Sequence, residues 1–119
     1  MRIFADRVPA TLADKLEVLV ACLQAFARVR PVHEVILFGS QARGTPRRDS
    51  DVDLCIVADG CEVQDQAAVD FRRAIGPLRG KPPLTLLPIT PKRLEEKRRA
   101  RDPFFATILR EGIRLAEKD

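Results

Sequence analysis

The stretch that decides the fold is VILFGSQARGTPRRDSDVDL, residues 35–54. Val35 to Phe38 is too short and too rich in β-branched residues for a helix, so it predicts a buried strand that ends at Gly39. Residues 40–50 are small and polar and are interrupted by glycine and proline, which indicates a turn and a loop. From Asp51 to Val57 apolar and polar side chains alternate, and this alternation predicts a second strand.

The segments on either side of this stretch predict helices and further strands. Apolar residues at helical spacing predict one helix at about 11–29, with Thr11 as its N-cap, and another at 62–75. Thr90 and Asp102 each precede a proline, which is a start signal for a helix. The remaining predicted elements are a strand at Leu84 to Ile89, helices from Thr90 to about Arg99 and from Phe104 to Arg110, and a short terminal strand within residues 112–116.

The predicted order is helix, strand, strand, helix, strand, helix, helix, with a short strand after them. Such an order indicates an α/β or α+β fold in which a small mixed β-sheet is flanked by helices. A chain of 119 residues is one domain by size, so we expect a single domain over residues 1–119.

The composition is that of a soluble globular protein, with 45% hydrophobic and 32% charged residues. Three cysteines without CxxC spacing and a single histidine do not make up a zinc site. We expect reduced thiols, with Cys22 and Cys55 in the core, in a cytoplasmic protein without membrane spans. The net charge of +4 suits a polyanionic partner, although it would equally serve a nucleoside triphosphate or solubility.

Gly39 and Ser40 form the first candidate binding element. A glycine at the end of a buried strand lets the backbone approach a ligand without a clash at Cβ. Ser40 begins a helical turn, so its hydroxyl and the amides that follow can face an anion. The alternative is a plain turn, because both residue types favour turns for local reasons.

Asp51 and Asp53 form the second candidate element. The two-residue period of a strand places both carboxylates on one face, where their charges repel unless a cation lies between them. Magnesium takes one or two protein carboxylates and completes its coordination with water and substrate phosphate. The pair therefore fits a metal clamp for a nucleotide, and the alternative is a solvated pair at a loop edge.

Together the two elements resemble the signature of the minimal nucleotidyltransferase (MNT) domains, which belong to the DNA-polymerase-β-like superfamily. The shared pattern is GS-x-ARG beginning at Gly39, followed by SD-x-DL beginning at Ser50. The preceding helix and strand, the strand at 84–89 and the tail Phe-x-x-x-Ile-Leu-Arg-Glu-Gly also resemble that family. The resemblance implies a polymerase-β-like nucleotidyltransferase fold over nearly the whole chain.

The resemblance also implies an activity, the transfer of a nucleoside monophosphate from a triphosphate such as ATP to an acceptor. Gly39 and Ser40 would hold the triphosphate, and Asp51 and Asp53 would be the catalytic residues that bind Mg²⁺. Arg43, one helical turn after Ser40, is either a phosphate ligand or a solvated helix end. The loop cations Arg47 and Arg48 are candidates for contacts with phosphate or acceptor.

Thr85 is where the sequence departs from the family pattern. The resemblance implies a third carboxylate on the next strand, as a metal ligand and base, and by register Thr85 stands there. A threonine hydroxyl is a poor magnesium ligand and no base near pH 7. The chain is then either a slow or substrate-assisted transferase, or a nucleotide-binding module that acts by contact without chemistry.

The resemblance further implies a protein partner. Stand-alone MNT domains commonly pair with a HEPN-domain protein as a toxin–antitoxin module, with the MNT chain as antitoxin, in some cases by adenylylating its partner. The short chain leaves no segment for a separate acceptor-binding domain, which agrees with a partner that is itself the acceptor.

Three further features favour structural interpretations. The basic segment 92–101 is expected to be a solvated helix face with ion pairs one turn apart. Phe104 and Phe105 are expected in the core, and His33 in a loop.

A basic nucleic-acid-binding protein is the least favoured function, because aromatic residues for base stacking are few and the net charge is modest.

Overall fold

A mixed five-stranded sheet with helices on both faces organises the chain, and the predicted fold class is confirmed. The computed structural model describes residues 1–47 and 49–119. In the sheet order β1-β5-β2-β3-β4, β3 and β4 are parallel and all other neighbours antiparallel. The strands are β1 (Arg2–Ile3), β2 (Val32–Phe38), β3 (Val52–Ala58), β4 (Leu84–Ile89) and β5 (Ile113–Glu117). The α-helices are α1 (Leu16–Val29), α2 (Gly39–Arg43), α3 (Gln64–Ile75), α4 (Pro91–Arg99) and α5 (Pro103–Glu111), and 3₁₀ helices occupy Ala5–Arg7 and Ala10–Lys15.

Strand β3 is buried on both faces, and its side chains point alternately into two apolar layers. Val52, Leu54 and Ile56 pack with α1 and α3 in the larger core cluster. Cys55 and Val57 face the other way and pack with α5 in a smaller cluster. Burial raises the pKa of the Cys55 thiol to about 12, so this cysteine is an inert core residue. All three cysteines are free and buried, as expected for Cys22 and Cys55.

The later helices begin where the sequence predicts. The Thr90 hydroxyl accepts a hydrogen bond from the Arg93 amide at the start of α4, and the Asp102 carboxylate accepts one from the Phe105 amide at the start of α5. Helix α4 has a solvated face on which Glu95 forms ion pairs with Arg98 and Arg99, one turn away. This confirms the structural interpretation of the basic segment. No helix in the described ranges is long and apolar enough to cross a membrane.

Two predicted boundaries at the N-terminal side are wrong. The first helix opens as a 3₁₀ segment, and α1 begins only at Leu16. Thr11 is not its N-cap, because its hydroxyl donates to Gln41 Oε1 of α2 at 3.3 Å, and this tertiary contact replaces the local one. Strand β2 begins at Val32 rather than Val35, because β3 and β5 both extend far enough to pair with it.

Residues assigned to a loop or to the core also need correction. His33 lies in β2 rather than in a loop, and its Nε2 is 2.8 Å from Asp59 Oδ1. Phe105 is buried as expected, but Phe104 is 53% exposed on the other side of α5. Strand β1 was not predicted, because its two residues form a strand only by pairing with β5 at the far end of the chain.

Candidate active site

The sheet brings Gly39, Asp53 and Thr85 side by side. Strand β2 ends at Phe38, which lies opposite Asp53 in the antiparallel ladder, so Gly39 follows directly beside that carboxylate. On the other side of β3, Asp53 is level with Thr85 in the parallel ladder. The register therefore aligns the candidate phosphate element, the candidate metal element and the Thr85 position along one end of three adjacent strands.

Gly39 is required at its position for two reasons. Its φ of +74° lies in the left-handed region, which side-chain-bearing residues rarely adopt. A Cβ added there would also overlap Oδ2 of Asp53. The backbone at the start of α2 and the Asp53 carboxylate are thus in direct apposition, with no room for any side chain between them.

Ser40 and Arg43 are carried by α2, a single short helix. It spans Gly39–Arg43 and ends at Gly44, whose backbone is left-handed. Ser40 is half-buried in the first turn and Arg43 is exposed in the last one. The Arg43 guanidinium lies 3.8 Å from Glu111 of α5, and its positive charge offsets part of the rise that burial causes in the pKa of Asp53.

Asp51 and Asp53 interact with each other and with Thr85. Asp51 lies directly before β3 rather than within it, and its Oδ2 accepts a hydrogen bond of 2.9 Å from the Thr85 hydroxyl. Burial raises the pKa of Asp53 and the charge of Asp51 raises it further, while the Thr85 hydroxyl and Arg43 lower it. Thr85 thus stands between two carboxylates whose mutual repulsion a cation would relieve.

The residues present fit a divalent metal bound by two carboxylates. Within residues 1–47 and 49–119 no group of three or more His, Cys, Asp or Glu side chains is placed to hold a metal. Asp51 and Asp53 would be the protein ligands, and magnesium commonly binds through one or two carboxylates together with water and substrate phosphates. A third protein carboxylate is absent from the described site because Thr85 takes its place.

The family model that matches this chain is the nucleotidyltransferase domain, over residues 19–110. The chain belongs to the nucleotidyltransferase domain family. The match extends from α1 into α5 and includes Gly39, Ser40, Arg43, Asp51, Asp53 and Thr85. Membership of this family indicates a role in nucleotidyl transfer in general, and domains of this family generally use a divalent metal. No curated protein matches the chain.

A cavity of about 320 Å³ opens beside Asp53 in this nucleotidyltransferase domain. Local sequence patterns do not predict this cavity, because α5 contributes one wall and begins some fifty residues beyond Asp53 in the chain. A signal for it is the pair of phenylalanines at the start of α5, which is expected in the core from the sequence alone. The lining includes Gly39, Arg43, Asp53, Phe104, Ile108 and Glu111.

Arg47 does not line the cavity beside Asp53. It borders a separate cavity of about 480 Å³ together with Ser50 and the buried Gln41. The Arg47 amide donates to Ser50 Oγ at 2.7 Å, which closes the turn leading to Asp51. Its nucleotide-binding role stays a prediction, and the same role considered for Arg48 falls outside the described residues.

Proposed function

We propose that this chain is a magnesium-dependent nucleotidyltransferase that moves AMP from ATP to a HEPN-type toxin, and so acts as its antitoxin. The observation that carries the proposal is the apposition of Gly39 and Asp53, where a Cβ at residue 39 would overlap the carboxylate. A triphosphate held at the start of α2 would then reach a metal held by Asp51 and Asp53.

Each side chain has a definable task in this proposal. Asp51 and Asp53 would hold the magnesium, which would supply charge neutralisation as the acceptor hydroxyl attacks the α-phosphorus of ATP and pyrophosphate leaves. Gly39 has no side chain that would overlap the Asp53 carboxylate, so the start of α2 can lie directly beside the metal ligands. Thr85 orients the Asp51 carboxylate through its hydrogen bond, and Arg43 adds positive charge on the cavity side.

The partner is proposed from the motif rather than from a contact in this chain. The order GS-x-ARG followed by SD-x-DL is shared with MNT domains, which commonly pair with HEPN proteins. The site itself agrees with an acceptor supplied from outside. Thr85 is exposed at the start of the edge strand β4, so a hydroxyl of another protein can approach the carboxylates there.

A second candidate function is neutralisation of the partner by contact, with nucleotide bound and no transfer. The Thr85 hydroxyl favours it, because this neutral group lies level with Asp53 on β4 and donates a hydrogen bond to the Asp51 carboxylate. A hydroxyl there does not accept a proton from an attacking acceptor near pH 7. Transfer would then depend on the acceptor or the nucleotide to supply the base.

A mass measurement on the partner tests the transferase against the contact module. The purified chain is incubated with its genomic neighbour, ATP and magnesium, and the expected result is a gain of one AMP by the neighbour. Asp51→Asn should abolish the gain, and Asp65→Asn, which removes an exposed carboxylate at the start of α3, should leave it intact. Neutralisation of the neighbour without any gain in mass would establish the contact module instead.

Replacing Thr85 by aspartate is expected to raise the rate of transfer. The new carboxylate would stand level with Asp53 and supply the missing base, and a positioned base is worth about 10²-fold or more. The measurement is the initial rate of AMP transfer at saturating magnesium. Thr85→Asn is the control of similar size without charge, and a rate for Thr85→Asp no higher than that control would contradict the prediction.

A further inference from the structure

The cavity beside Asp53 has both charged and apolar walls. Asp53, Arg43 and Glu111 bring charged groups to its lining, and Phe38, Phe104 and Ile108 bring apolar side chains. Its volume of about 320 Å³ lies at the lower end of the range of about 300–1,000 Å³ seen for small-molecule sites. A nucleotide likewise combines charged phosphates with a flat and largely apolar base.

Phe104 is an exposed aromatic residue held in a fixed place. It is 53% exposed, yet its ring makes edge contacts with Phe38 at 6.0 Å and with Phe105 at 5.3 Å between centroids. It lies in the first turn of α5 just after Pro103, which also restrains the backbone. An aromatic ring fixed at the rim of a cavity can contact a base at a small cost in side-chain entropy.

Glu111 gives the cavity a hydrogen-bond acceptor. Its carboxylate lies 3.8 Å from the Arg43 guanidinium and 3.6 Å from that of Arg110, both exposed pairs. Thr107, on the same wall, already donates its hydroxyl to the Pro103 carbonyl. Glu111 therefore remains the side chain on α5 that can accept from a ribose hydroxyl or an exocyclic amino group.

We propose that this cavity receives the ribose and base of the donor nucleotide, that Phe104 is the contact for the base, and that purine nucleotides are preferred. This inference rests on the proposed function, because it places the phosphates at Gly39 and Ser40. A purine has a larger ring system than a pyrimidine and covers more of Phe104 and Ile108. The acceptor group of the partner is the competing occupant of the same cavity.

The test compares two ligands on the full chain, a non-hydrolysable ATP analogue and inorganic tripolyphosphate, by calorimetry in magnesium. Phe104→Ala is expected to weaken the analogue about tenfold and to leave tripolyphosphate unchanged, because only the analogue carries a base. The control is Leu109→Ala, a 38% exposed apolar residue of the same helix that does not line this cavity. It should change neither affinity, and both variants should keep the thermal stability of the parent within a few degrees.

Nucleotide preference gives a second measurement. The parent chain is expected to bind the ATP analogue more tightly than the corresponding CTP analogue, and Phe104→Ala should narrow that difference. Unchanged affinity of Phe104→Ala for the ATP analogue would overturn the inference. Loss of AMP transfer to the partner by Phe104→Ala at unchanged nucleotide affinity would also overturn the inference, because the cavity would then bind the acceptor group. Base-dependent binding without any transfer to a partner would leave this inference standing and overturn the proposed function.

Discussion

Replacement of Asp53 by asparagine is expected to abolish magnesium-dependent binding of ATP and to lower the transfer rate by about 10²–10³-fold. Asparagine keeps the size and position of the side chain but removes the charge that a divalent cation needs. The measurements are calorimetric titration of the ATP analogue with and without magnesium, and the rate of AMP transfer. Asp65→Asn, far along the chain on α3, is the matched control and should behave like the parent.

The same substitution is expected to leave the fold as stable as before, or more so. The pKa of Asp53 is raised from 3.8, mainly by burial, so its charged form costs free energy in the folded protein at neutral pH. Without metal, Asp53→Asn should therefore unfold at the same temperature as the parent or at a higher one.

The difference in stability between Asp53→Asn and the parent is expected to depend on pH, because the pKa of Asp53 is raised in the folded state. As pH falls through the raised pKa, Asp53 takes up a proton in the folded state before the unfolded one, and the parent gains stability relative to the variant. Below the ordinary aspartate pKa of 3.8 the residue is neutral in both states and the difference should close. A clearly lower unfolding temperature of Asp53→Asn at neutral pH would contradict the prediction. Any loss of activity would then be due to unfolding.

Replacement of Gly39 by alanine is expected to lower the transfer rate at least about 100-fold. The added methyl group would overlap Oδ2 of Asp53, so either the carboxylate or the start of α2 must move. The φ of +74° adds a backbone cost of about 1–2 kcal/mol for a residue with a side chain. The measurements are the transfer rate and the magnesium dependence of analogue binding, alongside thermal unfolding.

Gly44 provides the control for backbone strain. Its φ is also +74°, but nothing lies within 4 Å of a Cβ added there. Gly44→Ala should therefore lose stability by a similar backbone cost while retaining magnesium-dependent binding. Equal losses of binding in the two variants would show that α2 needs its backbone geometry and that contact with Asp53 is not the cause.

Local signals were sufficient for much of the fold. Strand Leu84–Ile89 was predicted to its exact bounds, because two prolines precede it and the Thr90–Pro91 start signal follows. Elements that depend on distant partners were not predictable in this way. The 3₁₀ opening of the first helix goes with the contact between Thr11 and Gln41, and the early start of β2 depends on pairing with β3 and β5.

The site residues also differ in whether local sequence patterns predict their position. Gly39, Asp51 and Asp53 fall within fifteen residues at the adjoining ends of the paired strands β2 and β3, so their proximity follows from the short connection between those strands. Thr85 was placed by strand register, and its hydroxyl is indeed bonded to Asp51. Phe104 and Glu111 reach the same place from α5, and no short-range pattern connects that helix with Asp53.

The burial of β3 on both faces has a consequence for how the chain can vary. Val52, Leu54 and Ile56 are each fully buried, so a slip of β3 by one residue would move them to the other face of the sheet and turn Asp53 into the larger apolar layer. The strand itself, and not the length of the segment leading into it, therefore fixes where the carboxylates lie. Insertions between Gly44 and Arg47 should leave the position of β3 unchanged, which makes that segment a suitable place for an engineer to graft new sequence.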